Sequence, residues 1–327
     1  MSEKNQNKAI VTGCSGFVGS HLVERLLNNG YRVIGIDNFR TGKPAFMDDF
    51  ISHPNFKFVE LDLNFLEKES SLFSGIDIVY HMAANADVRG GVADTEVDLQ
   101  FNLLMTHRIL ECMRHSGVKR LCFASTAAAL GEPDVFPTPE GVAIPVQTSI
   151  YGASKMSCEH FISSYANCFG IEAYVFRFVS LLGPRYPHGH VIDFVRKLRR
   201  DAANLHVLGD GTAQKSYLHI FDCLDALELI CERLRPAKNL AIPYEVFHLG
   251  FDGYIKVADS AKLIAKSMGL EPVLQFEKSQ RGWVGDNPFV HLSTDKIKKL
   301  GWEPQYTIEE SIKDTVAWLL SETWMLN

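Results

Sequence analysis

A glycine-rich segment near the start of the chain constrains the fold more than any other feature. The stretch VTGCSGFVGSHLVERLL places Gly13, Gly16 and Gly19 between a short apolar run and an amphipathic one. Glycines at this position allow a tight turn and let the backbone approach a pyrophosphate, which then binds at the amino-terminal N–H groups of the helix. Because a strand precedes the turn and a helix follows it, the segment predicts a βαβ unit that binds a dinucleotide.

Acidic and small residues at later strand ends extend this prediction. Asp37 closes the run YRVIGID, where it can accept hydrogen bonds from adenosine ribose hydroxyls and repel a 2′-phosphate. NAD is therefore favoured over NADP, although the nearby Arg40 tempers the preference. Asp62 follows the third strand, where it can either bind the adenine amino group or cap a surface turn. The small residues of HMAAN permit close approach of the cofactor, and His81 is expected to be a buried, hydrogen-bonded histidine.

The alternation of short apolar runs with longer amphipathic runs predicts the fold class. It extends over roughly the first 180 residues and indicates an α/β fold, a Rossmann-type doubly wound parallel sheet with helices on both faces. After Leu182 the pattern changes to the loop GPRYPHGH and then to mixed helices and short strands. We therefore predict an NAD-binding domain over 1–182 and a smaller mixed α/β substrate-binding lobe mainly over 183–327. Segment 216–249 could return to the first sheet.

Composition excludes several other classes of protein. The chain has 327 residues, 46% of them hydrophobic, which is enough for a large core. A formal charge of −6 without long basic runs argues against nucleic acid and against an anionic membrane surface. Seven scattered cysteines without a CxxC pair indicate reduced core thiols and no metal site. The polar start and the absence of an apolar run of spanning length predict a cytoplasmic protein.

A second motif, SIYGASK, places a tyrosine and a lysine on one helical face. Tyr151 and Lys155 are one helical turn apart, although an ordinary packed aromatic would show the same spacing. Ser125 and Thr126 lie at the end of the apolar run RLCFAS, and ligands bind at the carboxyl ends of parallel strands. These four side chains can therefore converge beside a bound nicotinamide.

The motifs also occur in the order of a known family. TGCSGFVG, HMAA, FN at 101–102, ST at 125–126, YGASK, GPR at 183–185 and RGWVGD follow one another over essentially the whole chain. The chain thus resembles the extended short-chain dehydrogenase/reductase family, and within it the NAD-dependent nucleotide-sugar epimerases and dehydratases. Its pattern is closest to that of UDP-glucose 4-epimerase-like members.

The resemblance implies a catalytic role for three residues. Tyr151 would be the phenolate that removes the proton of the sugar 4-hydroxyl while hydride leaves C4. Because a free phenol has a pKa of about 10, Lys155 would supply the charge that lowers it. Thr126 would hydrogen-bond the same hydroxyl. The implied NAD-binding residues are Gly13, Gly16, Phe17, Val18, Asp37, Asn38, Asp62, Leu63, Ala83, Ala84, Asn102, Ser125, Tyr151 and Lys155.

The resemblance also implies a nucleotide-diphosphate sugar as substrate. Ser180 replaces an asparagine of the family, and Lys215 replaces an arginine, which keeps the charge but loses the planar fork. Val290 aligns with a tyrosine that walls the sugar pocket in members restricted to plain hexoses. The implied substrate-binding residues are Thr126, Ser180, His190, Val191, Lys215, Arg281 and Val290.

The residues after Thr126 narrow the reaction. Dehydratase members carry an acid pair there and decarboxylating members a glutamate, whereas this chain has Ala127, Ala128 and Ala129, which cannot transfer protons. The pattern favours a 4-epimerase that acts through a transient 4-keto sugar. A C4 dehydrogenase that releases the keto sugar stays open, a dehydratase is less favoured, and an intact Thr126, Tyr151 and Lys155 argue against an NAD-sensing regulator. Helix 98–115 and the helix that begins near Tyr151 predict a homodimer, as in relatives.

Overall fold

The chain divides into two compact units. The computed structural model describes residues 6–88, 90–143, 146–279, 287 and 289–326. The first unit comprises Met1–Leu130, Ser149–Arg177 and Leu227–Phe247, and the second comprises Gly131–Thr148, Phe178–Ala226 and His248–Asn327. These bounds differ from the predicted 1–182 and 183–327 in that 131–148 belongs to the second unit. Residues 227–247 belong to the first unit and lie within segment 216–249, for which the sequence leaves a return to the first sheet open.

The strands are short and the helices alternate with them through the first unit. In chain order the strands are β1 (Lys8–Thr12), β2 (Arg32–Asp37), β3 (Phe56–Glu60), β4 (Ile78–His81), β5 (Arg120–Thr126), β6 (Glu172–Phe178), β7 (Ser180–Leu182), β8 (Asn204–Val207), β9 (Gln214–Lys215), β10 (Tyr217–His219), β11 (Tyr244–Leu249), β12 (Ile255–Lys256), β13 (Val273–Phe276) and β14 (Phe289–Val290). The α-helices are α1 (Phe17–Asn28), α2 (Gly90–Ala93), α3 (Thr95–Asp98), α4 (Met105–Ser116), α5 (Ile150–Phe169), α6 (His190–Arg200), α7 (Ile220–Glu228), α8 (Val257–Ser267), α9 (Asp295–Lys298) and α10 (Ile308–Ser321). Two π-helical segments, Leu99–Leu104 and Leu229–Leu234, adjoin α3 and α7.

Seven strands form the central sheet, in the order β11-β6-β5-β4-β1-β2-β3. Strands β1, β2, β3, β4 and β5 pair in parallel, with Ile10 opposite both Ile34 and Val79. A parallel sheet covered by helices is buried on both faces, so its strands are nearly continuous apolar runs. All four residues of β4 are buried accordingly. The predicted α/β fold class is confirmed.

The strand order brings the polar strand ends to one edge of the sheet. Thr12, Asp37, His81 and Thr126 are the last residues of β1, β2, β4 and β5. Behind them lies an apolar core in which Ile109 and Met113 of α4 and Ile162 of α5 are completely buried. Parallel strands present their carboxyl ends together, so this edge is the candidate ligand-binding edge.

In the described residues of the second unit, small sheets accompany the helices α6, α8 and α10, with α9 and most of α7 beside them. Strand β7 pairs with β10 and β8 with β13, both in parallel, and β9 lies between β12 and β14. Helices α6, α8 and α10 contact one another. Within the described part of the chain, no helix combines the length and the apolarity needed to cross a bilayer.

Candidate active site

The glycine-rich loop after β1 has space for glycine alone. Gly13 adopts φ +70°, and a Cβ on it would lie 2.8 Å from the backbone nitrogen of Ala83. A Cβ on Gly19 would lie 2.0 Å from the carbonyl oxygen of Gly13. Helix α1, which starts with Phe17 and Val18, begins without a side-chain cap hydrogen bond at Gly16. Such a start suits phosphate binding at the helix amino terminus.

The Asp37 carboxylate is fixed beside this loop. Its Oδ2 accepts a hydrogen bond from the Ser15 backbone N–H at 3.0 Å, and its Oδ1 accepts one from the Phe39 N–H at 2.9 Å. The neighbouring Asn38 caps its own turn by accepting from the Arg40 N–H at 3.0 Å. The Ser15 hydroxyl is buried and has no hydrogen-bond partner among the described residues. A fixed carboxylate and an unsatisfied hydroxyl beside a glycine cradle fit the phosphates and ribose of a dinucleotide.

The later strand ends hold the other predicted cofactor residues. Asp62 Oδ1 accepts from the Asn64 N–H at 2.8 Å, so at least one of its oxygens caps the turn that follows. Leu63 is 4% exposed, and its side chain packs in the core. The Ala83 N–H, next to Ala84, donates to Thr12 Oγ1 at 3.2 Å. The assignment of Asp62, Leu63, Ala83 and Ala84 to NAD binding stays a prediction.

His81 is the buried, hydrogen-bonded histidine that the sequence indicates. Its Nδ1 lies 2.7 Å from Thr12 Oγ1 and its Nε2 lies 3.1 Å from Thr106 Oγ1. Burial, and secondly the charge of Lys155, lowers the pKa of His81 to about 3. The imidazole is therefore neutral at physiological pH and serves as a hydrogen-bonded link in the core.

Two residues predicted to bind the cofactor are occupied by internal hydrogen bonds. Asn102, 1% exposed, accepts from the Asn85 N–H at 2.9 Å and donates to Asp98 at 3.1 Å and to Ser154 Oγ at 2.8 Å. Ser125 donates its hydroxyl proton to Glu159 Oε1 at 2.5 Å. The side chains of Asn102 and Ser125 thus position neighbouring residues, and their assignment to NAD binding stays a prediction.

A buried ion pair explains the position of Ser125. Arg177 Nη2 donates to Glu159 Oε2 at 2.7 Å, and Arg177 Nε donates to Glu159 Oε1 at 3.0 Å. A buried carboxylate needs hydrogen bonds to its remaining lone pairs, and the Ser125 hydroxyl supplies one. The sequence signal was a charged residue beside apolar ones, Glu159 after Cys158 in SCEHF and Arg177 within YVFRFV, and the sequence-based prediction did not include it.

The three predicted catalytic residues lie together in the first unit. Thr126 Oγ1 accepts from the Ala128 N–H at 3.1 Å, and the Thr126 side chain is near enough to Tyr151 to act against the rise in the pKa of its hydroxyl. Helix α5 starts one residue before Tyr151 and is capped by Ser149, whose Oγ accepts from the Gly152 N–H at 3.0 Å. Lys155, one turn further on, is 2% exposed.

The electrostatics of this group differ from the sequence expectation. Burial raises the pKa of Tyr151 to about 12, and the Thr126 hydrogen bond acts in the opposite direction. Burial lowers the pKa of Lys155 to about 8, which still leaves the ammonium protonated at neutral pH. Removing a phenolate from water outweighs the stabilisation that the sequence analysis expected from Lys155, so in the chain alone Tyr151 is a neutral phenol.

The second unit places the predicted substrate residues in different surroundings. Ser180 is exposed at the start of β7. Lys215 and Val290 are direct partners in the pairing of β9 with β14, and Lys215 Nζ donates to the carbonyl oxygen of Asn287. Arg281 lies outside the described residues. The substrate roles of these four residues stay predictions.

The two helix residues among the predicted substrate ligands are packed. His190 Nε2 lies 2.7 Å from Ser260 Oγ, and His190 Nδ1 lies 3.2 Å from the Tyr217 hydroxyl. Val191 is completely buried on the apolar face of α6. The His190 ring and the Val191 side chain therefore pack within the second unit, and their assignment to substrate binding stays a prediction.

With this geometry in place, the family can be determined. The model of the NAD dependent epimerase/dehydratase family matches residues 9–249. The chain belongs to this family.

Individual members are similar over nearly their whole length. A UDP-glucose 4-epimerase of Corynebacterium glutamicum is 32% identical over 317 residues, which cover 92% of this chain and 92% of the relative. A crystal structure of UDP-glucose 4-epimerase from Thermotoga maritima with UDP-glucose has a TM-score of 0.84 and 31% identity, covering 97% of this chain and 99% of that one. A UDP-glucuronic acid 4-epimerase from Bacillus cereus, in complex with UDP-glucuronic acid and NAD, has a TM-score of 0.86 and 26% identity and covers 96% and 99%.

Family membership confirms the predicted family and the predicted cofactor, NAD. Gly13, Gly16 and Asp37 are the residues of this epimerase/dehydratase whose described geometry best fits that cofactor. Arg40, which tempered the preference for NAD, lies with its guanidinium carbon 3.8 Å from the centre of the Phe101 ring. It is thus engaged in a cation–π contact.

Asp37→Asn is expected to weaken discrimination against NADP at least about tenfold, measured as the ratio of the dissociation constants of NADP and NAD. The amide keeps an acceptor for the Ser15 or Phe39 N–H but lacks the charge that repels a 2′-phosphate. Asp48→Asn, at an exposed position, changes the net charge equally and should leave the ratio unchanged. An unchanged ratio in the Asp37 variant would assign that carboxylate to loop structure alone.

Proposed function

We propose that this chain is an NAD-dependent nucleotide-sugar 4-epimerase that acts through a transient 4-keto sugar. The observation that carries the proposal is the nearness of Thr126 to Tyr151, where it acts to lower the pKa of the phenol, together with the buried ammonium of Lys155 one turn further along the same helix. The similar proteins from Corynebacterium glutamicum and Thermotoga maritima carry the name UDP-glucose 4-epimerase. A UDP-sugar is therefore the first substrate class to test.

The chain's own residues handle the proton in this reaction. Tyr151 removes the proton of the sugar 4-hydroxyl and returns a proton to the 4-keto oxygen at the end of the cycle. Thr126 holds the Tyr151 oxygen by a hydrogen bond that favours the phenolate. Lys155 contributes a positive charge from the next turn of α5. When bound, NAD supplies the acceptor and donor of hydride, and its oxidised ring adds a positive charge.

Added positive charge is needed because of the pKa of Tyr151. In the chain alone that pKa is about 12, so the phenol is a poor base at neutral pH. A protonated Lys155 alone does not overcome the burial of Tyr151. Formation of the phenolate is thus linked to cofactor binding, which restricts proton abstraction to enzyme that holds NAD.

The turn after Thr126 separates epimerisation from dehydration. Ala127–Leu130 forms a 3₁₀ turn, in which Ala129 and Leu130 are buried. Dehydration requires an acid and a base at C5 and C6, and neither an alanine nor a leucine can act as one. The three alanines therefore favour a reaction confined to C4.

Turnover in deuterated water tests this proposal. With NAD as the only cofactor, we expect C4 epimers that carry no deuterium on the sugar carbons, because the hydride removed from C4 returns to C4. Mass spectrometry and proton NMR of the product measure this directly. Deuterium at C5, or a product lighter by one water, would refute the proposal in favour of a dehydratase. Reduced cofactor formed in equal amount to oxidised sugar would indicate the C4 dehydrogenase.

We further propose that the enzyme is a cytoplasmic homodimer that binds neither nucleic acid nor membrane. Leu104, Phe161 and Phe169, at the start of α4 and along α5, are 45%, 42% and 41% exposed. A second copy of the chain that packs the same helices against them would bury these side chains. Six of the seven free cysteines are buried, which fits a reducing compartment. Sedimentation of the purified chain tests the oligomeric state.

A further inference from the structure

A buried carboxylate lies close to the Tyr151–Lys155 pair and has no role in the reaction steps above. Asp98, the last residue of α3, is completely buried. Its Oδ1 accepts hydrogen bonds from Asn85 Nδ2 at 2.8 Å and from Asn102 Nδ2 at 3.1 Å. Its Oδ2 is buried and has no hydrogen-bond partner among the described residues. A buried charge held by only two amides is costly unless another interaction compensates for it.

A chain of hydrogen bonds connects Asp98 to the helix that carries the catalytic pair. Asn102 Nδ2, which donates to Asp98, also donates to Ser154 Oγ at 2.8 Å. Ser154 Oγ in turn donates to the backbone carbonyl of Tyr151 at 2.8 Å. Asn102 lies in the π-helical segment Leu99–Leu104, and wide turns of this kind are frequent at functional sites. The Asp98 carboxylate is thus linked through two side chains to the first turn of α5.

Gly91 limits the space in which the Asp98 carboxylate can lie. A Cβ on Gly91 of α2 would lie 2.3 Å from Asp98 Oδ2. No other residue at this position leaves room for that oxygen, so α2 and α3 together define its place. By contrast, a Cβ added to Gly90 would lie near the carboxylate of Asp87, which is exposed and can move.

Asp98 is an anion that interacts with the Tyr151–Lys155 pair. It has no cationic partner of its own in the described structure. The groups that interact electrostatically with Tyr151, Lys155 or Asp98 are Asp98 itself on α3, Cys158 and Glu159 on α5, His81 on β4, and Asp87 in the loop after β4. His81 is neutral, burial raises the pKa of the Cys158 thiol, and Glu159 is paired with Arg177. Asp87, which is exposed, faces Asp98.

We propose that Asp98 is a positioning residue for the Tyr151–Lys155 pair: its carboxylate supplies the buried negative charge that faces Lys155 and, through Asn102 and Ser154, fixes the first turn of α5. Burial raises the pKa of the Asp98 carboxyl, and the attraction of the Lys155 ammonium acts in the opposite direction. The Asp98 charge, together with that of Glu159, favours the protonated form of Lys155 against its burial and makes the Tyr151 phenolate harder to form. The consequence for catalysis rests on the proposed function, whereas the effect on Lys155 does not.

The test is Asp98→Asn in the full chain, because asparagine keeps an oxygen acceptor for both amides but removes the charge. The primary readout is a ¹⁵N NMR titration of the Lys155 ammonium, assigned by its absence in Lys155→Arg. Removing an anion destabilises the ammonium, so the pKa of Lys155 should fall below its value in the unmodified chain. Asp94→Asn changes an exposed carboxylate at the start of the same helix and should leave the pKa of Lys155 unchanged. An unchanged pKa in Asp98→Asn would overturn the proposal.

Gly91→Ala keeps the test decisive if Asp98→Asn does not fold. Its methyl group should displace Asp98 Oδ2 and lower the pKa of Lys155 in the same direction, while Gly90→Ala should not. These titrations need no substrate. A lowered pKa of Lys155 in a chain without 4-epimerase activity would therefore refute the proposed function and still support the role of Asp98. In an active enzyme both limbs of the profile of kcat against pH should move to lower pH in Asp98→Asn, since the phenolate also forms more easily. If kcat fell equally at every pH and the pH profile did not move, the proposed role of the Asp98 charge would be contradicted.

Discussion

Tyr151→Phe is expected to lower kcat about 10² to 10⁴-fold while the fold and NAD affinity stay as they are. The substitution removes only the oxygen that takes the 4-hydroxyl proton and accepts the Thr126 hydrogen bond. The ring still fills the same half-buried space, so packing is preserved. Steady-state kinetics on a nucleotide sugar, with NAD binding measured separately, distinguish loss of chemistry from loss of cofactor.

The matched control for this variant is Tyr165→Phe on the same helix. The Tyr165 hydroxyl donates to Glu111 Oε1 at 2.7 Å and belongs to none of the proposed catalytic contacts. Its removal should leave kcat within a few-fold of wild type. Activity near that of wild type in Tyr151→Phe would remove this phenol from the mechanism and would leave Thr126 and Lys155 without a base to support.

Gly13→Ala should raise the dissociation constant for NAD about 100-fold or more, because its methyl group collides with the backbone at Ala83. The predicted Cβ position lies 2.8 Å from the Ala83 nitrogen and 2.9 Å from its Cα, and neither can move without displacing the end of β4. Calorimetric titration with NAD measures the effect directly.

Gly30→Ala separates this collision from backbone strain. Gly30 has φ +81°, close to the φ +70° of Gly13, but nothing lies within 4 Å of its added Cβ. It should therefore cost only the strain of a left-handed alanine, about 1 to 2 kcal/mol of folding stability, with NAD affinity preserved. Equal effects of the two substitutions on NAD affinity would show that contact with Ala83 is unimportant for the cofactor.

Local features of the sequence were sufficient to predict the fold and to bring Thr126, Tyr151 and Lys155 together. Glycine spacing after β1 and the apolar runs of the strands depend on residues close together in the chain, and the carboxyl ends of parallel strands meet by geometry. Tyr151 and Lys155 needed only a helical turn between them. For these features a single sequence contains the necessary information.

Features that depend on contacts between distant segments were missed. The Glu159–Arg177 pair that holds Ser125, and the Asp98 carboxylate between Asn85 and Asn102, arise from tertiary packing. The pKa of Tyr151 moved in the opposite direction from expectation, because burial is a property of the folded chain and has no local signal.

Helix phase explains the burial of one predicted substrate residue. Val191, assigned to substrate by the resemblance, lies on the apolar face of α6 with Phe194, Val195 and Leu198. An amphipathic helix buries such positions whatever the loop before it does.

The place of β11 in the sheet order bears on the biosynthesis of the chain. This strand, Tyr244–Leu249, is the neighbour of β6 at the edge of the sheet, although the chain forms much of the second unit between the two. At ordinary translation rates the ribosome needs on the order of ten seconds to proceed from β6 to β11. Throughout that interval β6 is an unpaired edge, of the kind that associates with other chains. Completion of the first unit thus waits until most of the polypeptide has been synthesised, and the nascent chain has to be protected until β11 emerges.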